Sequence, residues 1–178
     1  MANFITFSRI VLIFPVLYFV NDQSSFSNWV ALILFIIAGV TDHLDGLIAR
    51  RTGTSSPLGG LLDLIADKLL ICIPLVYLIS HSHFSELALP AIIIVARELI
   101  ISSFRQFLVE ILGENPVEVS LMAKSKTTLQ ITSLSFLIIS PNFGEIFYFI
   151  TIILFWLAAL ISIQSLLEYL RVYKNFIK

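Results

Sequence analysis

The chain of 178 residues is far more apolar than a soluble protein of its size, because hydrophobic residues make up 58% of it and charged residues only 13%. Its mean hydropathy is +0.97, whereas soluble domains carry about 25% charged residues, so the composition excludes an ordinary soluble fold. The formal net charge of −1 argues against nucleic acid as a partner, since neutralising phosphates requires a basic surface.

Six apolar segments follow one another along the chain. In order they cover residues 5–20, 28–48, 61–80, 87–109, 127–140 and 146–169. Most are close to the length of about 20 residues that a helix needs to cross a bilayer. Helices are expected because backbone polar groups in lipid must be satisfied within the segment. The predicted fold is an all-α integral membrane protein with six transmembrane helices, forming a single domain over residues 1–178.

The cations indicate how these helices are oriented. Lys and Arg are absent from the connections at residues 21–27, 81–86 and 141–145, and all eleven lie near the other two connections or the two termini. Cytoplasmic loops of membrane proteins carry an excess of Lys and Arg. The distribution therefore predicts six spans with both termini in the cytoplasm.

Four aspartates lie within the second and third apolar segments. Asp42 and Asp45 are three residues apart, and Asp63 and Asp67 are four apart, so each pair shares one face of its helix. From Trp29, at the outer interface, Asp42 lies about 20 Å further along the helix, which is the same depth that we expect for Asp67. An acid at the centre of a span costs about 2.5–3.5 kcal/mol, so these acids are expected to be functional and to line a pocket open to the cytoplasm.

Such a group of carboxylates favours a hard divalent cation. Mg²⁺ and Mn²⁺ take oxygen ligands, and four acids could hold two ions. Zinc is disfavoured, because the single cysteine and the absence of a histidine set provide no suitable ligands. Two other interpretations remain: acids paired structurally with Arg50, Arg51 and Lys68, or a cation transporter.

The spacing of these residues resembles a known family. Residues 42–67 match D-x2-D-G-x2-A-R-x8-G-x3-D-x3-D, the signature of the CDP-alcohol phosphotransferases. All eight fixed positions are present: Asp42, Asp45, Gly46, Ala49, Arg50, Gly59, Asp63 and Asp67. The resemblance implies a six-helix membrane enzyme.

The resemblance also implies a role for each motif residue. Asp67 would be the general base that deprotonates the acceptor hydroxyl, and it would join Asp42, Asp45 and Asp63 around Mg²⁺ or Mn²⁺, two ions in all. The cytidine diphosphate group of the donor, CDP-diacylglycerol, would be bound by Asp42, Gly46, Ala49, Arg50 and Gly59. Small side chains allow the nucleotide to approach the helices closely, and an arginine can contact phosphate with two N–H groups.

Other segments narrow the choice of acceptor alcohol. Residues 97–105, 124–130 and 3–9 resemble segments of the phosphatidylglycerophosphate synthases, the branch of the family that uses glycerol 3-phosphate. We expect the acceptor phosphate to be bound by four cations on the cytoplasmic side: Arg97, Arg105, Lys124 and Lys126. The alternative is that these cations do not bind substrate but determine the membrane topology and contact anionic lipid. Glu98 is expected on a different face of its helix from Arg97.

The sequence thus predicts an enzyme whose partners are CDP-diacylglycerol, glycerol 3-phosphate and membrane lipid. Its location is a bacterial-type plasma membrane, with the active site facing the cytoplasm, and the resemblance implies a homodimer. One alternative is another acceptor within the same family, as in a cardiolipin, phosphatidylinositol-phosphate or phosphatidylserine synthase. A more distant alternative is the cation transporter.

Overall fold

The computed structural model describes the backbone of residues 2–22, 24–52, 57–80, 82–112 and 121–177. Side chains are described over the narrower ranges 6–22, 24–41, 59–80, 84–110 and 126–171, and at Lys174. Six long helices occupy nearly all of this backbone. They are α1 (Ala2–Asn21), α2 (Ser25–Thr52), α3 (Pro57–Ile79), α4 (Ala88–Leu112), α5 (Leu121–Ile139) and α6 (Glu145–Ile177). Two short 3-10 helices, Ser82–Leu87 and Ser140–Asn142, precede α4 and α6.

The six predicted helical segments are therefore confirmed, but most helices are longer than their apolar runs. Helix α2 continues to Thr52, α5 begins at Leu121, and α6 ends only at Ile177. The apolar run marks the part of a helix that is suited to an apolar environment. The helix itself continues for as long as backbone hydrogen bonds can form, and the polar residues of the aspartate motif thus lie on regular helix.

The helices pack as two connected groups. Helix α1 contacts both α2 and α3, while α4 and α5 contact α6, and α5 joins the groups through α2 and α3. Hydrogen bonds mark one end of the bundle, where Tyr77 Oη donates to Asn21 Oδ1 at 3.1 Å and Asn28 Nδ2 donates to Asn142 Oδ1 at 2.9 Å. The end of α1 therefore meets the end of α3, and the start of α2 meets the end of α5.

The core consists of aliphatic and aromatic side chains from all six helices. The largest fully buried apolar side chains, with Leu87 of the first 3-10 helix, are Ile13, Val16, Phe35, Leu75, Ile94, Leu108, Leu134, Leu137, Ile138 and Phe155. Large apolar side chains also cover the outside, among them Phe14, Tyr18 and Ile146, which are 67%, 73% and 81% exposed. Apolar residues inside and outside are typical of a bundle surrounded by lipid.

Two helical segments are long and apolar enough to cross a membrane, Phe84–Glu110 and Glu145–Arg171, and two shorter apolar helices cover Thr6–Asn21 and Ser25–Thr41. These lengths hold for the residues that the structure describes. Serine and threonine side chains inside the helices donate to the carbonyl four residues earlier, as Ser133 Oγ does to Leu129 at 2.8 Å and Thr151 Oγ1 to Phe147 at 3.0 Å. Their hydroxyls thus need no partner from another helix.

Candidate active site

The first turns of α3 carry two of the predicted carboxylates. Asp63 and Asp67 are one helical turn apart, and both are exposed, with the Asp63 side chain 52% accessible. Gly59, one turn before Asp63, is partly exposed. The backbone of Asp42 and Asp45 lies in the second half of α2. Their side chains, with those of Gly46, Ala49 and Arg50, lie outside the described residues.

The two described aspartates suit a hard cation in their chemistry, because they offer only carboxylate oxygens at an accessible position. Within the part of the chain whose side chains are described, no group of three or more His, Cys, Asp or Glu lies together. Two of the four predicted ligands fall outside that part, so the four-carboxylate metal centre stays a prediction.

Asp63 has a basic partner from the first helix. Arg9 Nη1 donates to Asp63 Oδ1 at 3.3 Å, and the Arg9 side chain is fully buried. Helix α1 packs against α3, and this packing brings together residues that are 54 positions apart. Arg9 is therefore a partner that the structural interpretation of the acids did not include, and the side chains of Arg50 and Arg51 lie outside the described residues. Lys68, the third cation of that interpretation, pairs instead with a glutamate of α4.

A buried cluster of charges includes Lys68, the residue that follows Asp67 on α3. We call it the Glu98 cluster, formed by the Glu98 carboxylate with Lys68, Arg97, Lys126 and Gln130. Lys68 Nζ is 2.5 Å from Glu98 Oε2, and Arg97 Nη1 is 3.2 Å from Oε1. Lys126 Nζ also donates to Oε1. The Glu98, Lys126 and Arg97 side chains are 5%, 6% and 7% exposed, so these charges are almost entirely removed from solvent.

Helix α6 supplies a second layer of hydrogen bonds to this cluster. Arg97 Nη2 donates to Ser165 Oγ at 2.7 Å, and Gln130 Nε2 donates to Ser162 Oγ at 3.3 Å. Both serines are buried, and they lie three residues apart, so they occupy one face of α6. Four helices, α3 to α6, thus contribute polar side chains to one buried site.

The structure separates the four predicted acceptor cations. It brings Arg97 and Lys126 together around Glu98, while the side chain of Lys124 lies outside the described residues. Arg105 is partly buried, and its Nε has no hydrogen-bond partner among the described residues. The Nε of Arg97 likewise has no partner among the described residues, but both Nη atoms of Arg97 are held, by Glu98 and by Ser165.

Sequence analysis missed the centre of this arrangement. Adjacent helical residues such as Arg97 and Glu98 do leave the helix in different directions, but the contact between the ends of their side chains was not predicted. Lys68 and Gln130 were also not assigned to the site. The available signal was Glu98 itself, an acid within a long apolar segment, since such residues normally have a partner. Arg9 carried the same signal in α1.

Comparisons with known proteins agree with this geometry. A family model described as CDP-alcohol phosphatidyltransferase matches residues 1–164. A protein of Haemophilus influenzae named CDP-diacylglycerol–glycerol-3-phosphate 3-phosphatidyltransferase is 37% identical over 175 residues, covering 97% of this chain and 92% of its own. Proteins of the same name from Shigella flexneri and Escherichia coli are 38% identical over 167 residues, covering 93% of this chain and 90% of theirs. The chain belongs to the CDP-alcohol phosphatidyltransferase family.

Proposed function

We propose that this enzyme transfers the phosphatidyl group of CDP-diacylglycerol to glycerol 3-phosphate, giving phosphatidylglycerophosphate and CMP. One observation carries the proposal: Asp67 is followed directly by Lys68, whose Nζ lies 2.5 Å from Glu98. The proposed base and one cation of the buried group are therefore neighbours in the middle of α3. An acceptor with a hydroxyl and a phosphate needs both features within the length of one small molecule. The names of the relatives agree with this acceptor.

The donor side of the site is formed by the aspartate motif. Asp42, Asp45, Asp63 and Asp67 would hold Mg²⁺ or Mn²⁺, and two such ions, when bound, would neutralise the diphosphate of the donor. The accessible, all-oxygen character of Asp63 and Asp67 supports this assignment. Binding of the cytidine diphosphate group is assigned to Asp42, Gly46, Ala49, Arg50 and Gly59.

The acceptor side is formed by the cations. Three cations surround one carboxylate in the Glu98 cluster, which leaves it with two formal positive charges in excess. Each lysine has three N–H donors and the arginine has five, so Glu98 and Ser165 use only part of this capacity. Surplus charge and spare donors are what a phosphate dianion requires. Arg105, with its unused Nε, and Lys124 complete the assigned set.

The reaction then needs one proton transfer and one displacement. The carboxylate of Asp67 accepts the proton of the acceptor hydroxyl, and the hydroxyl oxygen attacks the phosphorus attached to diacylglycerol. The bond from that phosphorus to the bridging oxygen breaks, and CMP leaves with the electron pair. The cations hold the acceptor by its phosphate, so that its hydroxyl is directed at the phosphorus.

The membrane arrangement is part of the proposal. Six spanning helices with both termini in the cytoplasm would place Asp63, Asp67 and the Glu98 cluster near the cytoplasmic surface, where CDP-diacylglycerol could enter from the lipid. The apolar exterior and the directions of the helices support this arrangement. We also propose a homodimer, on the family resemblance. Reporter fusions after residues 22, 80 and 142 would test the orientation, and light scattering in detergent would test the dimer.

The test of the activity is CMP release by purified protein in detergent, with CDP-diacylglycerol and Mg²⁺ or Mn²⁺. Glycerol 3-phosphate, serine, inositol phosphate and phosphatidylglycerol are supplied in separate reactions. We expect metal-dependent release with glycerol 3-phosphate alone. Release with another alcohol would retain the family reaction and refute the acceptor. A folded protein that releases no CMP with any of them, yet moves cations across vesicles, would be a transporter.

A further inference from the structure

The Glu98 carboxylate is the one group that touches every cation of the buried cluster. Each carboxylate oxygen accepts hydrogen bonds from different partners. Oε2 accepts from Lys68, and Oε1 accepts from Arg97, from Lys126 and from Gln130 at 3.4 Å. These partners belong to α3, α4 and α5. A single side chain that is 5% exposed thus fixes the positions of cations from three helices.

From this geometry we infer that Glu98 is a positioning residue for the acceptor phosphate. Without a shared carboxylate, three buried cations would repel one another and their heads would separate. With it, they are held close together while an excess of positive charge remains. The inference rests on the proposed function, because it assigns Glu98 to the same acceptor site. Glu98 acts through the cations and has no contact with the reacting atoms.

The surrounding hydrogen bonds support a positioning role. Arg97 is held at both ends of its guanidinium, by Glu98 Oε1 at 3.2 Å and by Ser165 Oγ at 2.7 Å. Gln130 spans from Glu98 to Ser162 of α6. Side chains held in this way keep one orientation, and fixed donors bind phosphate with less loss of entropy than mobile ones do.

The adjacency of Asp67 and Lys68 on α3 supports the same role. Lys68 follows Asp67, so the backbone of the cluster on α3 is within about 1.5 Å of rise from the proposed base. A small alcohol bound to the cations by its phosphate could therefore present its hydroxyl to Asp67. Glu98 would set the placement of the phosphate, and through it the distance between the hydroxyl and the base.

The experiment measures KM for each substrate separately in CMP release. We expect Glu98→Gln to raise KM for glycerol 3-phosphate about tenfold or more and to leave KM for CDP-diacylglycerol within about twofold. Glu98→Asp keeps the charge but withdraws the carboxylate by one methylene, so it should raise the same KM by about threefold. If Glu98→Gln does not fold, Glu98→Asp carries the test. Glu110→Gln, an exposed acid on the same helix, is the matched control.

A purely structural role predicts a different result. Folded Glu98 variants whose two KM values and kcat change together, or whose KM for glycerol 3-phosphate stays within twofold of wild type, would overturn the inference. A double-mutant cycle adds a second criterion: if Glu98 acts through Lys126, Glu98→Gln combined with Lys126→Met should raise KM less than the product of the single effects. A multiplicative result would also overturn it.

Failure of the inference can be told apart from failure of the proposed function. If wild-type protein uses glycerol 3-phosphate and the Glu98 variants keep its KM, only the role of Glu98 is refuted. If wild-type protein uses a different alcohol, the acceptor assignment is refuted and the role of Glu98 with it.

Discussion

Removing one cation from the Glu98 cluster should change the stability of the protein little, whereas removing the carboxylate should lower it strongly. Lys126→Met replaces a side chain that is 6% exposed with an apolar one of similar length. Glu98 still has Arg97 and Lys68, so no buried charge is left without a counterion. Repulsion among the cations falls, and the desolvation of one ammonium is avoided. We therefore expect the free energy of unfolding to change by less than about 1 kcal/mol.

Glu98→Gln is the opposite case. It leaves three cations without the carboxylate they share, of which Arg97 and Lys126 are almost fully buried. Removing one partner of a buried ion pair destabilises a protein by about 3–5 kcal/mol. For a chain of this length each kcal/mol lowers the Tm by about 2–4 °C. We therefore expect a decrease of about 6–20 °C for Glu98→Gln and of no more than about 4 °C for Lys126→Met.

The chain contains a convenient probe for this measurement. Cys72 is its only cysteine and lies half-buried in α3. A dye that fluoresces on reaction with a thiol will report exposure of Cys72 as the protein unfolds in detergent. Lys174→Met, which removes an exposed cation from α6, is the control. The reasoning is refuted if Lys126→Met lowers the Tm as much as Glu98→Gln does.

Three further predictions concern activity. Asp67→Asn should lower kcat by about 10²–10⁴-fold while donor binding persists, because the amide cannot accept the proton; near-normal turnover would refute its role as the base. Arg105→Ala should raise KM for glycerol 3-phosphate about tenfold and that for CDP-diacylglycerol far less, which initial-rate kinetics will show; equal changes would argue against acceptor binding. Gly59→Leu should weaken CDP-diacylglycerol binding about tenfold or more, because the larger side chain obstructs the nucleotide. Gly60→Ala is the control and should not weaken binding, since a Cβ added at Gly60 meets no atom within 4 Å. Unaltered binding in both variants would refute the nucleotide assignment.

The fold was accessible from the sequence to a large extent, because long apolar segments specify helices locally. The predicted segment at residues 146–169 became α6 (Glu145–Ile177), and the segment at 61–80 became α3 (Pro57–Ile79). Their ends were less predictable, since polar residues such as Arg171 and Lys174 also continue a helix. The apolar pattern locates the span, and the backbone hydrogen bonds decide the end.

The site was predictable where its residues are close in sequence. Asp63 and Asp67 share a face of α3 by spacing alone, and Arg97 and Lys126 were assigned together on charge and resemblance. The pairing of Arg9 with Asp63 was not predictable, because it joins helices 54 residues apart. Glu98 was misjudged for a related reason: helical spacing gives the direction of Cβ, whereas long side chains meet at their ends.

The position of the Glu98 cluster across four helices also affects how the chain assembles during synthesis. Lys68 is made 30 residues before Glu98, and Lys126 is made 28 residues after it. Ser165, which holds Arg97, follows 68 residues behind its partner. A charged residue at the centre of a span is disfavoured by about 2.5–3.5 kcal/mol, and in the proposed membrane arrangement α3 and α4 would enter the bilayer before all their charges are matched. The final positions of α3 and α4 are therefore set only when α5 and α6 are added, so the last third of the chain completes the packing of the middle third.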